Sequence, residues 1–155
     1  MARQPNWFCT PLPTLKVMQI VCAVVIVLFF LDGRQQWWPY TFIFVLAIFT
    51  MIGNAVLLAL HYFDVVRTNN AVPWLTVEMI WNGLLAALYL VVAITMSVDW
   101  WKMRNGQWMH HSYLPPKNIG QTGWQSRVLC VLVVSVTNVI LFILLLNRLR
   151  VYKIQ

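Results

Sequence analysis

The sequence predicts an all-α membrane protein: an antiparallel bundle of four transmembrane helices. Three observations predict it. Four apolar runs, about residues 14–31, 40–62, 73–98 and 126–148, are each long enough to cross a bilayer. A helix rising about 1.5 Å per residue needs some 20 residues to span a hydrocarbon layer about 30 Å thick. None of the runs carries Lys or Arg in its middle, and the chain is 61% hydrophobic and 10% charged, where a soluble domain has about 25% charged residues. Little chain is left over for a soluble catalytic domain.

The first run is too long for the apolar stretch of a cleaved signal, and no A-x-A pattern follows Leu31, so it is retained as a span. The second follows a connection of about eight residues containing Trp37 and Trp38, and the third follows one of about ten. Connections this short force neighbouring helices to run antiparallel. The segment near residues 99–125 is longer. It places Trp100, Trp101 and Trp108 among Lys102, Arg104, His110 and His111, then Pro115 and Pro116. It is expected to lie as a loop against the headgroups, or to present a contact surface to a partner. His110-His111 is a poor metal signal, because adjacent side chains rarely ligate one ion together and Asp99 is the sole nearby carboxylate. The layout divides the chain into an N-terminal segment (1–13), a transmembrane domain (14–148) and a basic tail (149–155).

The net charge of +7 comes from eleven Lys and Arg spread over the termini and loops. That spread suits bilayer-flanking anchors, Lys16 included, better than a nucleic-acid surface. With both ends cytoplasmic the positive charges divide six inside to five outside, which barely discriminates; the tail Arg148, Arg150 and Lys153 favours a cytoplasmic C-terminus and contact with headgroups. Trp37, Trp38, Tyr40, Trp100, Trp101 and Trp124 then mark one membrane face, and Trp7, Tyr62, Trp74 and Tyr152 the other. Amphipathic rings favour that depth.

Polar side chains in lipid are costly, so they should turn inward and pair. Each span has one: Gln19, Asn54, Glu78 with Asn82, and Asn138. Under the four-span layout they share a depth, and a hydrogen-bonded layer is expected there. Glu78, Asn82, Leu85 and Tyr89 share one face at spacing i, i+4, i+7, i+11. Glu78 is either a structural carboxylate or, with His61, part of a proton- or cation-coupled transport site. Small residues four apart, Ala55 with Ala59 and Gly83 with Ala87, suggest close helix packing. Cys22 and Cys130 lie in spans, where a buried thiol is the default. Cys9, beside Trp7-Phe8 and just before the first span, is a candidate palmitoylation site. No Ser/His/Asp set, paired carboxylates or Gly-rich phosphate loop occurs, so neither an enzyme nor a cofactor is expected.

The first span opens Leu15-Lys16-Val17-Met18-Gln19, the second follows Trp38-Pro39-Tyr40, and the third reads Val72-Pro73-Trp74, then Met79-Ile80-Trp81-Asn82 and Leu88-Tyr89. In these segments, and in the basic aromatic tail after the fourth span, the chain resembles MARVEL-domain proteins over about residues 14–150. Within them it is most similar to the plasmolipin and MAL-like group. It departs from the junctional branches, whose third loop has cysteines. The resemblance implies a four-helix bundle with both termini cytoplasmic, in the plasma membrane or trafficking vesicles. It further implies a non-enzymatic organiser of vesicle traffic, membrane apposition or fusion, cell junctions or lipid domains. Its partners would be membrane lipids, with cholesterol and anionic lipid as candidates, other membrane proteins and a second copy of itself. The alternative is a small transporter, channel or channel accessory subunit using Glu78 and the intramembrane polar layer.

Overall fold

The computed structural model describes residues 9–68 and 71–154, and every regular element among them is helical. Helix α1 (Pro11–Phe30) opens on Pro11 and Pro13, tolerated there because the first-turn N–H groups have no partner within a helix. After Phe30 the chain turns through Gly33 into one 3-10 turn (Arg34–Gln36). A Cβ on Gly33 would lie 2.2 Å from the Trp124 ring, so glycine alone leaves room for that indole. Helix α2 (Trp38–Tyr62) also has Pro in its first turn. It ends where Asp64 takes a left-handed conformation (φ 58°), and the single turn α3 (Val65–Thr68) follows. Helix α4 (Trp74–Arg104) starts after Pro73, and α5 (Gly120–Ile154) completes the bundle. Four of these helices are long and apolar enough to span a membrane.

Each of the four presents one buried stripe, and the spacing alternates three and four residues. On α1 it is Lys16, Gln19, Ala23, Ile26 and Phe30; on α2 it runs Tyr40, Ile43, Ala47, Thr50, Asn54 and Leu57. On α4 it runs Glu78, Asn82, Leu85, Tyr89, Val92, Met96, Asp99 and Met103; on α5 it runs Trp124, Val128, Val131, Ser135, Asn138, Phe142, Leu145 and Leu149. A repeat of 3.5 residues is the signature of left-handed helix packing in bundles. The outward faces carry exposed apolar side chains such as Val45, Ile52, Leu90, Ile94, Val133 and Ile140, as lipid requires. Lipid also removes the hydrophobic drive between helices, leaving close packing and polar pairing to hold them together.

Backbone contacts set the order α2–α1–α5–α4, while α2 and α4 approach one another much less closely. That last seam is closed by long side chains: Tyr40 to Asp99, Tyr89 to Thr50, Trp81 to Asn54 and His61 to Glu78.

The helices outrun the apolar segments. α4 continues to Arg104 and α5 starts at Gly120, so the connection is 105–119 rather than 99–125, and Trp100 and Trp101 are helical. Hydropathy marks where lipid stops, whereas a helix continues while its backbone hydrogen bonds and its stripe continue. At the other end α5 carries the basic tail as helix to Ile154.

Candidate functional site

Two buried polar clusters lie at opposite ends of the bundle. The first is near the end at which α1 begins and α5 finishes. Glu78 on α4 accepts contacts from two other helices: Lys16 Nζ of α1 at 3.3 Å and His61 Nε2 of α2 at 2.6 Å, both on Oε1. Lys16 is fully buried and Glu78 is 3% exposed. One turn deeper, Asn54 Nδ2 donates to Gln19 Oε1 (3.0 Å) and Trp81 Nε1 donates to Asn54 Oδ1 (3.1 Å), tying α1, α2 and α4 together. Asn82 Nδ2 donates back to the Glu78 carbonyl at 2.6 Å. All five residues of the expected layer are buried, but they do not form one layer. Gln19 with Asn54, and Glu78 with Asn82, make separate pairs, and Asn138 is buried beside Tyr89 outside both.

Lys16 corrects the anchor reading. It sits three residues before Gln19 on the inward stripe of α1, so its ammonium meets the Glu78 carboxylate rather than headgroups.

The second cluster lies at the end carrying the 31–37 and 105–119 connections. Asp99, on the stripe of α4, is fully buried. Tyr40 Oη of α2 donates to its Oδ2 (2.5 Å), and Trp124 Nε1 of α5 donates to Tyr40 Oη (3.2 Å). His110 Nε2 and His111 Nε2 lie 2.7 and 3.0 Å from the other carboxylate oxygen, Oδ1. The 105–119 segment is thereby folded down onto the bundle. Ser112 N–H donates to the Gln36 carbonyl (2.7 Å), and Gln125 Nε2 donates to the Met103 carbonyl (3.0 Å). Arg127 of α5 reaches Asp32 Oδ2 at 3.1 Å across the same end.

Sequence reasoning placed Asp99 in a loop and did not foresee this second cluster. A signal was present: continuing the Glu78, Asn82, Leu85, Tyr89 face by the same alternation passes Val92 and Met96 and arrives at Asp99. Of the three tryptophans expected in a partner surface, Trp100 and Trp108 pack against the core and Trp101 is 60% exposed.

The small-residue pairs do not make close packing within the bundle. Ala55, Ala59 and Ala87 are exposed, and a Cβ on Gly83 would meet nothing within 4 Å. Four-residue spacing marks one face of a helix without saying whether that face is the inner one. The close approach falls instead at Gly53, where a Cβ would be 2.2 Å from the Trp81 ring. Cys22 is half-buried, while Cys130 is exposed on its helix, so the default of a buried thiol fails there. Cys9 is exposed just before α1, and Arg148 and Arg150 are exposed on α5. Arg3 and Trp7, and the side chains of Arg67, Tyr152 and Lys153, lie outside the described residues.

The fold and these sites define a four-span, all-helical membrane protein held together by buried polar pairs. Compared with known proteins, the chain matches no family model, no curated protein and no solved structure.

Proposed function

We propose that this protein is a non-enzymatic membrane organiser, acting in vesicle traffic, membrane apposition or lipid-domain organisation, as its sequence resemblance to MARVEL-domain proteins implies. The observation that carries the reading is where the polar groups are spent. Lys16 and His61 both meet Glu78 at one end, and Tyr40, His110 and His111 all meet Asp99 at the other. Between them the buried polar side chains reach only as far as Thr50, Tyr89, Ser135 and Asn138, and Ile43, Ala47, Val92, Met96, Val128 and Val131 fill the core from there to Asp99 and Tyr40. A proton or cation route needs a chain of polar groups across that middle. The outward faces are apolar, which suits a protein that works by lateral contact with lipids and other spans.

In this reading both ends are cytoplasmic, exposed Arg148 and Arg150 meet anionic headgroups, and the protein resides in the plasma membrane or in trafficking vesicles. The transport alternative rests on the Glu78 cluster, and one experiment separates the two. Liposomes containing only the purified chain should show no proton or cation flux above protein-free vesicles. Flux that is present in the wild type and lost in Glu78→Gln overturns the organiser reading. Proximity labelling with a tagged chain in cells should then recover trafficking or junctional membrane proteins.

A further inference from the structure

We propose that Asp99, His110 and His111 form a binding site for a single divalent transition-metal ion of the Zn2+ class. This site is independent of the organiser reading. Asp99 Oδ1 and the two histidine nitrogens all lie within 4.8 Å of one another. Two imidazoles and one carboxylate are a donor set for Zn2+, and unlike the all-oxygen sets preferred by Ca2+ and Mg2+.

The objection that adjacent histidines point apart holds for extended chain, where side chains alternate. Here the pair closes a tight turn in which His111 N–H donates to the Trp108 carbonyl (3.0 Å). The turn brings both rings to one side, with centroids 4.2 Å apart. Metal bonds of about 2.0–2.1 Å at tetrahedral angles would set the donors about 3.4 Å apart. The observed 2.7 and 3.0 Å from Asp99 would open by about 0.7 and 0.4 Å to reach that spacing, and the two histidine nitrogens already lie within 4.8 Å of each other.

The surroundings fit as well. Tyr40 Oη holds the far carboxylate oxygen and lies 3.2 Å from His111 Nε2, so it orients Asp99 and stands next to the fourth position, which water or Tyr40 itself would fill. Trp37, Tyr40 and Trp108 pack around the His111 ring. Asp99 and His111 are closed off, but the His110 side chain is 19% exposed. A surface cleft of about 250 Å³ bounded by Trp37, Val98 and Lys102 leads to His110 and Asp99.

The test uses the full chain purified in detergent, stripped with chelator and then titrated. Zn2+ binding is followed by competition with a chromophoric chelator, and Co2+ binding by the visible absorption of the tetrahedral ion. One ion per chain is expected, and His110→Ala should weaken binding by more than a hundredfold. Tyr40→Phe, which removes an orienting contact, should weaken it by about 10–100-fold. His61→Gln, at the opposite end of the bundle, should bind as the wild type does. A second readout needs no variant: saturating Zn2+ should raise the thermal midpoint of the wild type and protect His110 from diethyl pyrocarbonate. Absence of stoichiometric binding by the wild type, binding undiminished in a folded His110→Ala chain, or no effect of Zn2+ on midpoint and labelling would each overturn the site. Asp99 would then be only a carboxylate satisfied by three hydrogen bonds.

Discussion

Replacing Glu78 by Met removes the acceptor shared by Lys16 and His61, and the cost follows from what is left behind. Lys16 Nζ is fully buried, and the ion pair in reach is with Glu78 at 3.3 Å. An uncompensated buried charge costs about 3–5 kcal/mol after loss of its partner, and about 2.5–3.5 kcal/mol on membrane-insertion scales. Because Lys16 is one to two turns from the start of α1, the low end applies, and Glu78→Met should destabilise by about 3 kcal/mol. Lys16→Met removes a partner from Glu78 but leaves His61 at 2.6 Å. It should cost about 1.5 kcal/mol, the low end for removing one partner from a charged group that keeps another. The double replacement strands only His61 and should cost little more than Lys16→Met alone. That is a non-additivity of roughly 3 kcal/mol, at the top of the range for residues in contact. Equilibrium unfolding in mixed micelles, followed by helical circular dichroism as denaturing detergent is added, measures all three. If Lys16→Met costs as much as Glu78→Met, or if the double variant costs the sum of the singles, the ion-pair reasoning is wrong.

Three further outcomes test the rest of the structure. Tyr40→Phe leaves the Trp124 indole N–H and one Asp99 oxygen without the hydroxyl between them. The same unfolding assay should read a loss of about 1–3 kcal/mol. Gly53→Ala drives a methyl into the Trp81 ring and strains its bond to Asn54; it should cost about 1–3 kcal/mol. Gly83→Ala meets open space and should be neutral or stabilise α4 by up to about 1 kcal/mol. Equal effects of the two glycine variants would refute the Trp81 contact. In a chain whose own cysteines are replaced, Met109→Cys puts a thiol at a site 99% exposed. With both ends cytoplasmic, an impermeant maleimide should label it on intact cells, and labelling only after permeabilisation reverses the orientation.

The four helices were legible because crossing lipid is a local requirement. Every backbone group must be satisfied within its own segment, so length and hydropathy alone announce each span. The inward direction of Gln19, Asn54, Glu78 and Asn82 was legible for the same reason, since an amide or carboxylate facing lipid has no partner. The partners themselves were not. Lys16 read as an anchor because its position near a span end fits either role; its rotation about α1 decides between them. Ala55, Ala59, Gly83 and Ala87 had the right spacing on the wrong faces.

What the amino-acid sequence determined by itself was the solvent, the number of crossings and the types of polar group that had to be hidden. Tertiary structure alone decided which of them meet. The pairing of Lys16 with Glu78 depends on how α1 and α4 are turned around α5. The convergence of Asp99 with His110 and His111 depends on a loop folding back onto the helix it has just left. Both are contacts between elements whose rotation and closure are set by packing, and packing sums over neighbours that no single window of sequence contains.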